Sequence, residues 1–312
     1  MKKTPLLLAA AALLLLPLAA LAQIDFYWAL SHPRVPLYAP IPAVVRVTNL
    51  TGRDFDLGPR GNAVLSFRAE DSSHHRLEPP ARPRRLFDVP VVISNGATVT
   101  LTVNAAHSLG ITEPDSYMIT PVITIGSDVE YSGQRLSLEV QPGLDILSRD
   151  FGSGSPNPRR ASLRLIHRDQ SDIVFFRLDD PLNYLCFGVY ELGSIIRYFT
   201  PQVDLDSSNV FHVLFQNTPD RFNHVTFAYD GTPISTDVYI ARVGAIAMVR
   251  DASGNVSVRG GIRFTPDPDN PGYLSAPSLP PSTPTVSFGP QGAPAPPAPI
   301  SAPGTKKHFW QR

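Results

Sequence analysis

The residues able to do chemistry in this 312-residue chain are few and widely spaced. Histidine supplies two groupings. His74 and His75 are adjacent, and in extended chain neighbouring side chains point to opposite sides, so no H-x-x-x-H or cysteine-histidine set of metal ligands is formed there. A solvated loop is the plainer assignment. His212, within Val210 to Phe215, and His224, beside Val225, lie on two apolar segments that could be neighbouring strands, with His167 a third member. Carboxylates Glu191, Asp204 and Asp206 are the nearest approach to the opposed pair that glycoside hydrolysis needs. Asp204 to Asn209 reads first as a turn, because Asp, Ser and Asn bond their own backbone.

Nucleophilic chemistry finds no better footing. No G-x-S-x-G elbow occurs, since Gly152 to Pro156 has the wrong order and sits in a glycine-serine stretch. Cys186 is the single cysteine. Its neighbours Leu185 and Phe187 suit a buried thiol rather than an activated one. Asp267, Asp269 and Asn270 before Gly272 echo a calcium loop but lack its spacing and closing glutamate. Asn49-Leu-Thr51 and Asn255-Val-Ser257 match the glycosylation sequon and read as coincidence in turn-rich sequence. The sequence therefore assigns no catalytic residue, no metal ligand and no cofactor.

Binding is the remaining chemistry. Phe175, Tyr184, Tyr190, Tyr198, Phe199, Phe222 and Tyr229 gather in the second half of the chain, where aromatic faces can stack on sugars or anchor a protein, or simply fill a core. Tyr190, Tyr198, His212 and Tyr229 are the candidate binding residues, joined by Trp310 at a basic, aromatic C-terminal tip.

The elements that must position these residues are strands. Leu65, Phe67 and Ala69 alternate with Ser66, Arg68 and Glu70; Val99, Leu101 and Val103 alternate with Thr98, Thr100 and Thr102; Leu136, Leu138 and Val140 continue the pattern. Asn95-Gly96 between Val91 to Ile93 and Val99 marks a hairpin or a sharp corner. The eight residues Phe151 to Pro158, rich in glycine, serine and proline, read as a linker. Alternation resumes at Leu163 and Leu165 and runs through Val174 to Leu178, Phe211 to Phe215, Val225 to Tyr229 and the flanks of the Asp251 to Asn255 loop. Residues 182–194 are ambiguous: Leu182, Leu185, Cys186 and Val189 have helical spacing, but Gly188, Gly193 and the aromatics favour a strand. Thirteen prolines between Pro266 and Pro303 leave too little apolar surface to offset chain entropy. Segments such as Pro277 to Pro280 and Pro294 to Pro299 suit extended polyproline conformation.

The fold expected is all-β: two tandem antiparallel β-sandwiches at residues 23–150 and 159–264, a linker at 151–158, and a disordered proline-rich tail at 265–312. Residues 1–22 read as a secretory signal, with Lys2 and Lys3 before the apolar run Leu6 to Leu16, then Pro17 and the small-x-small site Ala20-Leu21-Ala22 ahead of Gln23. Its brevity looks bacterial, and no cysteine follows for lipidation. Losing Lys2 and Lys3 from 27 basic residues leaves 25 against 27 acidic, a formal charge of −2. That balance argues against a nucleic-acid partner. The expectation is a periplasmic or extracellular protein with no span after cleavage, contacting envelope protein or polysaccharide, or else a carbohydrate-active enzyme or accessory with its site in residues 159–264. Export invites disulfides, yet one cysteine cannot pair within the molecule, so packing must stabilise the fold.

Residues 24–140 resemble the bacterial immunoglobulin-like modules of secreted and cell-surface proteins. The resemblance rests on Val44 to Gly52, a strand running into an Asn-Gly turn, on Val99 to Val103, and on Glu113 to Ile119, which is similar to a tyrosine corner. It implies that Tyr117 bonds back to upstream backbone and that Ile119 stands where antibody domains carry a cysteine. It implies no activity.

Overall fold

The computed structural model describes residues 23–80, 85–127, 129–152, 154, 156–264 and 285–288. Among them the chain is strand and turn, with one short 3-10 helix and no α-helix. Among the described residues no helix is long and apolar enough to cross a membrane. Residues 1–22, read as a signal, and Trp310 lie outside the described residues, as does the tail apart from 285–288.

The first sandwich pairs β1 (Gln23–Leu30), β3 (Pro42–Leu50) and β7 (Thr98–Asn104) in one sheet. The other sheet is β2 (Arg34–Pro36), β10 (Leu136–Gln141), β8 (Asp115–Ile125) and β5 (Ala63–Glu70). β9 (Val129–Ser132) adds to β8, and β4 (Phe55–Asp56) pairs β6 (Val92–Ile93) separately. Alternation built the core: Val45, Val47, Leu101 and Val103 meet Leu65, Phe67, Ile119, Ile123 and Leu138 between the sheets. β1 precedes the first segment in which the alternation was read, yet it is held by Ile24 and Trp28, whose indole lies 5.6 Å from Phe67. Asn95-Gly96 turns out to be a corner, because β6 pairs β4 while β7 pairs β3. The short pair β2 and β10 is parallel.

The second sandwich sets β11 (Leu144–Phe151), β12 (Arg159–Arg168), β13 (Ser171–Asp180) and β14 (Leu185–Ser194) against a second sheet. That sheet is β15 (Gln202–Leu205), β16 (Phe211–Thr218), β17 (Arg221–Phe227), β18 (Pro233–Ile240) and β21 (Ile262–Phe264). Phe176 stacks on Phe227 at 4.4 Å in its core. The ambiguous segment is strand from Leu185. A hairpin of β19 (Ala247–Arg250) and β20 (Val256–Arg259) covers the outer face of the second sheet, where Ile246, Met248 and Val258 pack with Phe199, Leu214 and Phe222.

One expectation needs correction. Phe151 pairs with Arg159, and β11 runs antiparallel to β12 back to Leu144 opposite Leu165. Residues 151–158 are thus the turn of a hairpin inside the second sandwich, and the passage between sandwiches is Pro142-Gly143. Glycine and proline signal a reversal and a linker alike, and only pairing tells them apart. Within the span of the tail, β22 (Thr285–Phe288) pairs with β7 of the first sandwich.

The sheet β11 to β14 is covered on both faces. Ile166, Phe175 and Val189 belong to the core of the first sandwich, and Val174, Phe176 and Leu178 to that of the second. Arg34 reaches the His167 carbonyl at 3.0 Å, and the Arg177 guanidinium lies 5.3 Å from the Tyr38 ring centre.

Candidate functional site

On β16, Phe211, Val213 and Phe215 point into the second core, so the period of two sends His212 and Leu214 to the outer face. Phe222 and His224 of β17 share that face. His212 pairs with Thr226 and His224 with Leu214, which makes the two histidines diagonal neighbours. Their rings lie 5.2 Å apart and 19° from parallel, and His212 Nδ1 is 3.0 Å from His224 Nε2. Both are more than nine-tenths buried.

The flanking partners fix the protons. Asp206 Oδ2 sits 3.2 Å from His212 Nε2, while Asp206 Oδ1 accepts the backbone N–H of Ser208 and Val210. His212 therefore donates from Nε2 to Asp206 and accepts at Nδ1 from His224 Nε2–H. His224 Nδ1 is left as a buried ring nitrogen without a hydrogen bond, 4.0 Å from Asp237 Oδ2. Asp237 is in turn held by Arg263, and the Tyr239 ring stands edge-on to His224 at 6.4 Å. Burial, then the neighbouring His212, pushes His224 down from 6.5 to about 4. Asp206 lies below the ordinary carboxylate range because its hydrogen bonds outweigh an opposing desolvation. The result is a proton chain from His224 through His212 to Asp206, laid inside the protein wall.

The other candidates stand apart. His167 bonds Asp172 at 3.1 Å on the far sheet. Glu191 is paired with Arg168, and Asp204 with Arg250 at 2.8 Å. Asp204 stands opposite His212 in the β15–β16 ladder but is engaged by Arg250, while Glu191 lies on β14 of the other sheet, so the three do not gather at one point. Among the described residues no group of three His, Cys, Asp or Glu side chains is placed to hold a metal ion. Burial raises the Cys186 thiol to about 11, which leaves little thiolate for attack. Asn49 of the first sequon is fully buried, its Nδ2 donating to the Arg53 and Ile93 carbonyls, so this amide is committed to the fold.

The aromatic candidates are likewise dispersed. Tyr190 packs on Phe227 at 5.2 Å. Tyr229 stacks on Phe211 at 5.8 Å and donates its hydroxyl to the Asn157 carbonyl at 2.6 Å. Both serve the rim of the second core. Tyr198 is 80% exposed in the turn before β15.

The β13 to β14 turn was not singled out from sequence. Asp180 Oδ1 accepts the N–H of Leu182 at 2.8 Å and of Asn183 at 3.0 Å, and Asn183 Nδ2 donates to Oδ2 at 2.9 Å. These bonds hold the Asp180 carboxyl below its ordinary range, the Asn183 side chain contributing most. Tyr184 is locked at φ 55° and is 93% exposed, flanked by exposed Leu182 and Leu185. The Arg159 guanidinium lies 4.0 Å from the Phe187 ring centre and 4.7 Å from that of Tyr229. The signal available in sequence was Asp-Pro-Leu-Asn-Tyr-Leu, turn formers interleaved with large apolar residues. A separate cavity of about 410 Å³ lies beside β5, between Leu65, Phe67, Arg76, Leu77 and Leu109.

No known family and no curated protein matches the chain. Solved structures similar to it include two bacterial ones. One is the sporulation control protein Spo0M from Bacillus subtilis, at 9% identity over 77% of this chain and 89% of that one, with a TM-score of 0.25. The other is the CsuC-CsuE chaperone-tip adhesion subunit pre-assembly complex of archaic chaperone-usher Csu pili from Acinetobacter baumannii, at 12% identity over 77% and 97%, with a TM-score of 0.19. Likenesses of this size leave the role of the chain to its own residues.

Proposed function

We propose that this chain is an exported, non-enzymatic binding or structural protein of the bacterial envelope or exterior. One contrast carries the reading. Each nucleophile, carboxylate and histidine considered for catalysis is buried or engaged by a structural partner, whereas Leu182, Tyr184 and Leu185 are held out to solvent by a hydrogen-bonded turn. An exposed aromatic flanked by aliphatics on a hydrogen-bonded turn supplies contact area to a protein or polysaccharide surface. Export rests on the segment Lys2 to Ala22. An immunoglobulin-like first module is supported by Tyr117, whose buried hydroxyl donates to the Glu113 carbonyl at 2.8 Å.

The test combines location with chemistry. Expressed in a bacterium, the chain is expected in the periplasm or medium with Gln23 as its first residue by mass spectrometry, and inert toward ester, peptide and glycoside substrates. Retention in the cytoplasm with Met1 intact, or turnover abolished by Glu191→Gln or His212→Ala, overturns the proposal.

A further inference from the structure

β5 is the last strand of its sheet, and its outer edge opens on the cavity of about 410 Å³. In an antiparallel ladder each residue turns its N–H and C=O to the same side, and successive residues alternate. The Ala69 carbonyl accepts the Leu77 N–H at 2.9 Å, and the Ala63 carbonyl lies 3.4 Å from Arg85 Nη1, so the odd-numbered residues of β5 face away from β8. Pro121, opposite Phe67, agrees with this: it has no N–H to donate, and its carbonyl accepts from Gly133 on the other side of β8. Leu65 and Phe67 therefore aim two N–H and two C=O groups at the cavity, where no backbone group among the described residues bonds them.

The walls are apolar and their charge is one-sided. Leu77, Pro79 and Leu109 line them, and Gly110 meets the Glu78 carbonyl so closely that a Cβ would stand 2.2 Å from it, which shuts that corner. Arg68, Arg76 and Arg85 face the single lining carboxylate, Glu78. Arg68 is paired with Glu130, and Arg85 holds the Gly58 carbonyl at 2.5 Å. The exposed Arg76 side chain has no hydrogen bond or ion pair among the described residues. Unpaired backbone donors and acceptors, apolar walls and an uncommitted guanidinium together fit an occupant with peptide groups, apolar side chains and a free carboxylate. A simple fatty acid would satisfy the walls and Arg76 but leave the Leu65 and Phe67 groups without partners.

We propose that this cavity is a binding site for the C-terminal end of a short peptide with apolar side chains, its backbone laid along Leu65 and Phe67 as an added strand and its carboxylate on Arg76. Its volume, near the lower end of the roughly 300–1,000 Å³ of small-ligand sites, limits the occupant to a peptide end. The site belongs to the first sandwich and the Asp180 turn to the second, so it stands whether or not that turn is a contact surface.

The test titrates N-acetyl-leucyl-leucine into the full chain and reads backbone amides by NMR. Without peptide, the Leu65 and Phe67 amides should exchange with solvent about tenfold faster than those of Val64, Ser66 and Arg68, which face β8, and saturating peptide should remove that difference. Arg76→Gln, at an exposed position, should weaken binding of the acid about fivefold while leaving the C-terminal amide of the same dipeptide unaffected. Leu109→Trp should fill the cavity and abolish binding of both, with the Val64, Ser66 and Arg68 amides still slow to certify the fold. If the Leu65 and Phe67 amides are already as slow as their neighbours in the unaltered chain, the edge is closed by the chain itself and the proposal fails. If the dipeptide at millimolar concentration leaves both amides fast, or decanoate binds as tightly as the dipeptide, the occupant is not a peptide end.

Discussion

His212 Nδ1 and His224 Nε2 face each other at 3.0 Å between two strands, and the proton between them belongs to His224 because His212 spends its own on Asp206. Charging this pair means placing a proton on His224 Nδ1, a buried nitrogen with Asp237 still 4.0 Å away and His212 stacked alongside. Folding therefore favours neutral His224, with its value lowered from 6.5 to about 4. A depressed base stabilises the fold above pH 6.5, and that contribution is lost as the pH falls to about 4. The drop is roughly 3 kcal/mol at 1.36 kcal/mol per pH unit. Asp206, also depressed, withdraws its contribution only below its ordinary 3.8. Urea midpoints of the parent should fall steadily from pH 6.5 to 4, and His224→Gln should flatten that slope. An equal slope in both chains would place the titration elsewhere.

Tyr117→Phe removes the hydroxyl that ties the start of β8 to the Glu113 carbonyl while leaving the ring in the core. Glu113 is exposed, so its carbonyl can turn to water and the loss should stay near that of one net hydrogen bond, about 1 kcal/mol. Denaturant unfolding checks it. A loss below 0.3 kcal/mol, taken as roughly the error of such a measurement, would show that the bond does no structural service.

The legible parts of the sequence were those ruled by one face. β5, β7 and β10 alternate because each has a core on one side, and the Tyr117 hydrogen bond to the Glu113 carbonyl was implied by the resemblance to a tyrosine corner. Val174, Phe175 and Phe176 blur because β13 is buried on both faces, by different sandwiches. The reach of His212 to His224 was visible as a possibility, yet its burial was not. That depends on the β19 to β20 hairpin laid over the outer face, a contact between residues far apart in sequence. The pairing of β22 with β7 likewise joins residues far apart in sequence, whereas the Asp180 turn is local and its mark is the run Asp180-Pro-Leu-Asn183 beside large apolar residues.

Gly188 makes room for Tyr190. A Cβ at 188 would stand 2.6 Å from both Cε2 and Oη of the Tyr190 ring, which is pinned from its other side by Phe227. Gly188→Ala should cost about 1–3 kcal/mol through overpacking. Tyr190→Phe gives no relief because the ring carbons remain, whereas Tyr190→Leu in the same chain should recover at least half the loss. A double-mutant cycle by urea denaturation reads the coupling, and additive costs would mean the two positions do not touch.

Asn49 satisfies four backbone and side-chain groups at once: Nδ2 donates to Arg53 and Ile93, and Oδ1 accepts from the Thr51 N–H and hydroxyl. Asn49→Ala strands the buried Ile93 carbonyl and should destabilise by about 1–3 kcal/mol. Asn49→Asp keeps the acceptor and loses both donors, so it should cost no less. The same commitment predicts that a glycosylating host leaves Asn49 unmodified in the folded chain, read by intact mass after expression. A glycan at Asn49 would show that it is attached before this corner closes.

The Asp180 turn offers a test in which backbone and contact surface separate. Tyr184 at φ 55° sits where a Cβ is costly, by about 1–2 kcal/mol. Being 93% exposed, its ring packs on almost nothing. Tyr184→Gly relieves the backbone and gives back part of the gain as unfolded-chain entropy, about 0.4–1 kcal/mol, so the variant should be as stable as the parent or up to about 1 kcal/mol more so. Tyr184→Val, β-branched in the same conformation, should lose at least 1 kcal/mol on the same scale. Both remove the aromatic, so both should weaken association with envelope fractions in co-sedimentation. If Tyr184→Val binds as the parent does, the turn is a structural corner and the contact lies on another face.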